Sequence, residues 1–234
     1  MSILQAERLC RTFHGTKGPI EVLRGADLSA EEGEIVVILG ASGAGKSTLL
    51  HLLGTLDLPD EGRVLIRGMD PRECSERELN RIRNRDLGFV FQFHYLLPEF
   101  TAFENVMMPS LLRGADQEEA GKRAVRLLTD VGLAERMSHR PAELSGGEQQ
   151  RVAVARALVN EPAIVLADEP SGNLDDRNSE GLHSLIAELS RSKKQTFVIV
   201  THKKELLGRA DRGLVLEGGI LHLFQERHDA VPSM

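Results

Sequence analysis

Residues 35–48 read Ile-Val-Val-Ile-Leu-Gly-Ala-Ser-Gly-Ala-Gly-Lys-Ser-Thr, and no other stretch restricts the possible folds as much. Ile35 to Leu39 are continuously apolar rather than alternating, so the strand they form has to be covered on both faces. The glycines at 40, 43 and 45 break that strand, and residues 46–53 have the spacing of a short helix. A doubly covered strand that turns tightly into a helix suits a parallel sheet, whose strands need long crossovers between them. Residues 63–66, 87–91, 163–167, 196–201 and 213–216 are further strand-length apolar runs separated by helical patterns. The expected fold is α/β, with a largely parallel sheet.

Between 93 and 160 the pattern changes. Residues 118–131 and 148–159 both have helix spacing, with no convincing strand between them. A mostly helical insert is expected there. Residues 71–86 are strongly charged, with Leu79 and Ile82 as their few apolar points, and should form a solvated helix. The polar tail from Glu226 is expected to fray. At 234 residues the chain fits one domain.

Composition narrows the partners. A net charge of −6 without any Lys/Arg block argues against a nucleic-acid partner, whose phosphates attract a basic face. The two cysteines, Cys10 and Cys74, lack metal-ligand spacing and suit a reducing cytoplasm. No run approaches the ~20 apolar residues of a membrane-spanning helix, so any membrane role has to come through partners.

Gly40, Ala41, Ser42, Gly43, Ala44, Gly45, Lys46, Ser47 and Thr48 match the phosphate-binding pattern G-x-x-x-x-G-K-[ST]. Glycines let successive backbone N–H groups turn inward toward phosphate oxygens, and the following helix adds its positive dipole end. Lys46 is suited to the β- and γ-phosphates, and the Ser47 hydroxyl to Mg²⁺. Far along the chain, Ile164-Val165-Leu166-Ala167-Asp168-Glu169 is an apolar run ending in two acids. Such a pair is most often a solvated turn. After a buried strand in a nucleotide-binding chain it points instead to Asp168 holding Mg²⁺ through water and Glu169 acting as general base. Strand alternation is expected to point the two side chains in different directions.

Leu144-Ser145-Gly146-Gly147-Glu148-Gln149-Gln150 carries two compatible readings. Ser145 and Glu148 form a capping box for the helix that follows, and the glycines leave bare N–H groups for an anion. The segment resembles the signature motif of ATP-binding cassette ATPases. That family's other motifs stand in order: Gln92 after the 87–91 strand, Ser171-Gly172-Asn173-Leu174-Asp175 after the acids, and His202 after Val198-Ile199-Val200. Phe13 falls where the family stacks an aromatic ring on adenine.

The resemblance implies a RecA-like P-loop NTPase core (about 1–92 and 160–234) with an antiparallel β part and a helical subdomain (about 93–159). It implies ATP and Mg²⁺ as ligands, with Gln92 touching both the metal and the reaction and His202 sensing the γ-phosphate. Ser145, Gly146, Gly147 and Asp175 would complete the nucleotide site of a second copy, in a head-to-tail pair. Residues 92–109, crowded with Phe93, Tyr95, Leu96, Leu97 and Phe100, are either a docking loop for integral membrane subunits or ordinary packing under the insert.

This stretch is similar to that of cassettes from lipoprotein-releasing systems, within a subfamily that also serves macrolide efflux and cell division. The expected location is the cytoplasmic face of the bacterial inner membrane, held there peripherally. A non-transport ATPase is the third alternative. Two departures stand out: Ser171 where the family usually has Thr, and Lys203-Lys204 where Asp commonly follows the histidine.

Overall fold

The computed structural model describes residues 2–16 and 18–225; the tail expected to fray lies outside them. Its centre is a six-stranded sheet ordered β5-β6-β7-β3-β8-β9. The strands are β3 (Ile35–Leu39), β5 (Leu87–Val90), β6 (Ile164–Asp168), β7 (Thr196–Thr201), β8 (Arg212–Glu217) and β9 (Ile220–Leu223). All pair in parallel except β9, which returns antiparallel on β8. The expected parallel sheet is present; β9 was not foreseen.

Successive side chains along β3, β6 and β7 sort into two cores, one on each face of the sheet. Val37, Leu39, Val165, Ala167, Phe197 and Ile199 pack with residues of α3 (Ala102–Leu112), α4 (Gln117–Asp130), α5 (Gly146–Leu158) and α6 (Asp176–Lys193). Val36, Ile38, Leu166, Val198 and Val200 pack with α1 (Lys46–Leu53) and a second sheet. That sheet is antiparallel, ordered β2-β1-β4, from β1 (Ser2–Gly15), β2 (Gly18–Glu31) and β4 (Glu61–Ile66). Burial on both faces is why β3 reads as an unbroken apolar run. The Arg24 N–H donates to the Gly219 carbonyl at 2.9 Å, so the β8–β9 turn joins the two sheets.

The insert is helical, and among the described residues no strand lies between β5 and β6. Its first part corrects the sequence reading. Residues 102–109, expected as part of a loop, belong to α3, opened by a capping box between Thr101 and Glu104. Only the stretch before it is irregular, and buried Asn105 builds that loop. Its amide donates to the carbonyls of Leu97, Phe100 and Thr101 and accepts from the Leu97 N–H. The charged segment 71–86 splits into a short 3-10 turn, Pro71–Glu73, and α2 (Glu76–Arg85), which buries only Ile82.

The register fixes what stands at the carboxyl edge of the parallel sheet. Leu39 lies beside Thr201, and Asp168 beside Val200. The loop after β3, the acids ending β6, His202 after β7 and Gln92 after β5 therefore emerge at one edge, where open α/β sheets bind ligands.

Candidate active site

Gly45 is the N-cap of α1, at φ 97° and without any side-chain cap, and the first turn holds no acid. Every other α-helix among the described residues is capped by a side chain, from Ser75, Thr101, Asp116, Ser145 or Asp175. The α1 terminus alone keeps its N–H groups free of side-chain acceptors, as an anion site requires. A Cβ on Gly45 would lie 2.6 Å from Val22 Cγ1, so the positive φ and the close approach of β2 both demand glycine.

A cleft of about 680 Å³ opens over this loop. Ser42, Gly43, Gly45, Lys46, Ser47 and Thr48 line its floor, and Asp168, Glu169, Gln92 and His202 one side. Phe13 and Val22 of the antiparallel sheet complete it. Phe13 is 41% exposed, with the Arg11 guanidinium 5.0 Å over its ring; Asp57 and Asp60 hold that arginine at 2.8 Å each. Gly40, Ala41 and Ala44 shape the loop without lining the cleft: the Gly40 and Ala41 carbonyls accept from Lys46 Nζ at 2.9 and 3.1 Å. The Ala44 N–H closes the turn onto the Ala41 carbonyl.

The carboxylate of Glu169 is the most constrained group. Its Oε1 lies 3.3 Å from Lys46 Nζ. Its Oε2 accepts from the Thr201 hydroxyl at 2.9 Å and the His202 N–H at 3.2 Å, with His202 Nδ1 at 3.0 Å. Burial pushes the carboxyl up, and bonds from the His202 ring, the Thr201 hydroxyl and the His202 N–H outweigh it, leaving the group below its ordinary range. It is ionised at neutral pH and available to accept a proton. Its backbone is left-handed, φ 44°, a strained conformation for a Glu. Asp168 and Glu169 both line the cleft, with different surroundings: Glu169 meets Lys46, Thr201 and His202, and Asp168 meets none of them.

Asp168 Oδ1 is buried without a hydrogen-bond partner. An orphaned carboxylate oxygen in a cleft that Ser47 also lines fits a divalent metal or its water. The Gln92 amide donates to Asn173 Oδ1 at 3.1 Å, and the Asn173 amide donates back to the Gln92 carbonyl at 3.2 Å.

Ser145, Gly146, Gly147 and Asp175 do not line the cleft. They form a second cluster. Ser145 caps α5, with its hydroxyl and N–H each 2.8 Å from Glu148 Oε2. Hydrogen bonds from the Ser145 N–H and hydroxyl, then from Arg136, bring the Glu148 carboxyl down to about 2. Asp175 caps α6 and grips Asn178 through the backbone at 2.8 Å and the side chain at 2.7 Å. A Cβ on Gly147 would sit 2.8 Å from Asn178 Oδ1, so the glycine lets α5 approach α6.

Sequence reasoning missed Val22 and Thr201, and marked Lys203 only as a departure from the family pattern, without its contacts. Val22 sits mid-strand and carries no motif signal. The other two flank His202, and their contacts with residues about 30 positions earlier exist only once β6 and β7 pair.

The chain matches the family model described as ABC transporter over residues 23–172. It is 53% identical over 219 residues to a lipoprotein-releasing system ATP-binding protein LolD of Porphyromonas gingivalis, covering 94% of this chain and 98% of that protein. A protein of the same name from Xanthomonas campestris pv. campestris is 54% identical over 220 residues, 94% of this chain and 92% of its own. Among solved structures, the dimeric ATP-binding cassette MJ0796, in a post-hydrolysis state with ADP and Pi, superimposes with a TM-score of 0.85. It is 38% identical, over 95% of this chain and 99% of its own.

Proposed function

The chain belongs to the ABC transporter family as an ATP-binding, ATP-hydrolysing cassette, and from that premise we propose that it powers the release of lipoproteins from the bacterial inner membrane. The observation that carries this reading is the likeness, above 50% identity over nearly the whole chain, to ATPases of lipoprotein-releasing systems. In this reading the chain is one cassette, with a core of about 1–92 and 160–234 and a helical subdomain of about 93–159.

The free N–H groups of α1 and the Lys46 ammonium bind the phosphates, and Phe13 stacks on the adenine. Ser47, Gln92 and Asp168 would hold Mg²⁺. Held there, it would supply positive charge to offset the negative charge of the phosphates. Glu169 accepts the proton of the attacking water, and His202 steadies both that carboxylate and the γ-phosphate.

A second copy, docked head-to-tail, brings its Ser145, Gly146, Gly147 and Asp175 over the nucleotide. The separation of these residues from their own cleft supports that arrangement, as does the dimeric state of the similar cassette MJ0796.

Membrane subunits dock along the loop after Gln92, where Phe93 and Tyr95 are 62% and 66% exposed. Arg156 of α5 fixes that loop through the His94 and Tyr95 carbonyls, 2.7 Å each, so the aromatic side chains are presented on a rigid base. Among the described residues no helix is long and apolar enough to cross a membrane, and the cassette reaches the inner membrane's cytoplasmic face through these partners.

Two experiments test the reading. Lys46→Ala is expected to weaken binding of a fluorescent ATP analogue about a hundredfold, because it removes the charge-assisted bonds to phosphate. Wild-type affinity in that variant would remove Lys46 from the site. Purification of the tagged chain from detergent-solubilised membranes of its host is expected to bring two integral membrane subunits and trapped lipoprotein. Recovery with a drug-efflux or division complex would change the cargo and keep the ATPase.

A further inference from the structure

Lys203 follows His202, yet it is not among the residues lining the cleft. Its Nζ donates instead to the Ser171 carbonyl and the Ser179 hydroxyl, each at 2.9 Å. Ser171 opens the 171–175 loop and is fully buried, with its own hydroxyl 2.8 Å from Nε2 of buried His183. The loop's first carbonyl thus takes a cation from the end of β7, while α6 supplies the surrounding hydroxyl and imidazole.

The same strand end and loop also hold Glu169. The Lys203 N–H donates to the Thr201 hydroxyl at 3.1 Å, and that hydroxyl donates to Glu169 Oε2. From the other side, the Gly172 N–H donates to the Glu169 carbonyl at 2.9 Å. Glu169's left-handed backbone is therefore clamped between the strand end and the loop.

We propose that Lys203 is a positioning residue for ATP turnover: its ammonium ties the 171–175 loop to the strand end carrying Thr201 and His202, and so fixes Glu169 from both sides. A carboxylate at this position could not donate to the Ser171 carbonyl, so the lysine makes a link that the family's common Asp cannot. The proposal rests on Glu169 being the general base.

The test compares Lys203→Met with wild type and with Lys204→Met, whose side chain is exposed. Without nucleotide, amide exchange at residues 172–175 is expected to quicken about tenfold in Lys203→Met, the loss of one charge-assisted bond. With ATP, kcat is expected to fall about tenfold at unchanged KM, as for an interaction realised in the transition state. Lys204→Met should match wild type in both.

A third readout is the His183 imidazole. Burial lowers its pKa first, then the Lys203 and Arg209 cations, against Glu180 and Glu205. Its NMR titration should move upward in Lys203→Met. Unchanged loop exchange, an unmoved His183 titration, or KM rising as much as kcat falls would each overturn the proposal. Full turnover in a Glu169→Gln variant would instead remove the general base, a failure visible without reference to loop exchange.

Discussion

Glu169→Gln is expected to keep nucleotide bound while slowing phosphate release about a thousandfold, the middle of the range for loss of a general base. The amide oxygen can still accept from the Thr201 hydroxyl and the His202 N–H, whose distances of 2.9 and 3.2 Å describe a fixed cradle. What disappears is the negative charge and the proton-accepting lone pair. Lys46 loses its partner at 3.3 Å but keeps the Gly40 and Ala41 carbonyls, so the phosphate loop should hold its shape. Because hydrolysis would no longer dissolve it, the ATP-bound dimer should accumulate, visible as a doubled mass by light scattering. Turnover within threefold of wild type would disprove the assignment of the base.

A large stability effect is expected at a glycine outside the cleft. A Cβ on Gly88, in β5, would stand 2.4 Å from the Ala157 carbonyl oxygen and 3.1 Å from its carbon. These are backbone atoms of the last turn of α5, and no rotamer change removes them. Gly88→Ala has to pry the helix from the sheet, which costs about 3 kcal/mol and should lower Tm by about 8 °C for a chain of this size. Gly181, inside α6, has nothing within 4 Å of such a Cβ. Gly181→Ala should be neutral or stabilise by up to ~1 kcal/mol through helix propensity. Thermal melts of the two variants side by side give the contrast; equal melting points would mean that β5 and α5 are not packed as described.

Where physics is local, the sequence was a good guide. The strand, glycine turn and helix of residues 35–53 are specified by neighbours, and α1 falls on 46–53 as expected. Phe13, Lys46, Ser47, Gln92, Asp168, Glu169 and His202 all line one cleft, although five separate strands deliver them.

The long antiparallel strands were less legible. Irregular register at Ala6/Leu9, Leu9/Cys10 and Arg11/Thr12 breaks the alternation that would announce a strand, and Arg8 even adopts a positive φ. Helix α6 is masked in the sequence because its cap, Asp175, is also the last residue of the 171–175 motif. In α3 the Thr101–Glu104 capping box was present in the sequence, but Pro109 in the helix and the aromatic crowding before it suggested a loop. The Thr201 and Lys203 contacts have no local signature, since they join residues 32 apart.

The left-handed backbone at Glu169 sets two selective pressures against each other in a single residue. Asparagine or glycine would occupy φ 44° with less strain, a gain of about 1 kcal/mol, yet neither carries a carboxylate. The exchange would also discard the carboxylate's bonds from the Thr201 hydroxyl and the His202 N–H and its pairing with Lys46, so relief of strain is set against loss of those contacts as well as loss of turnover. A lineage chosen for heat tolerance alone would gain little at this position and would lose the use of its fuel.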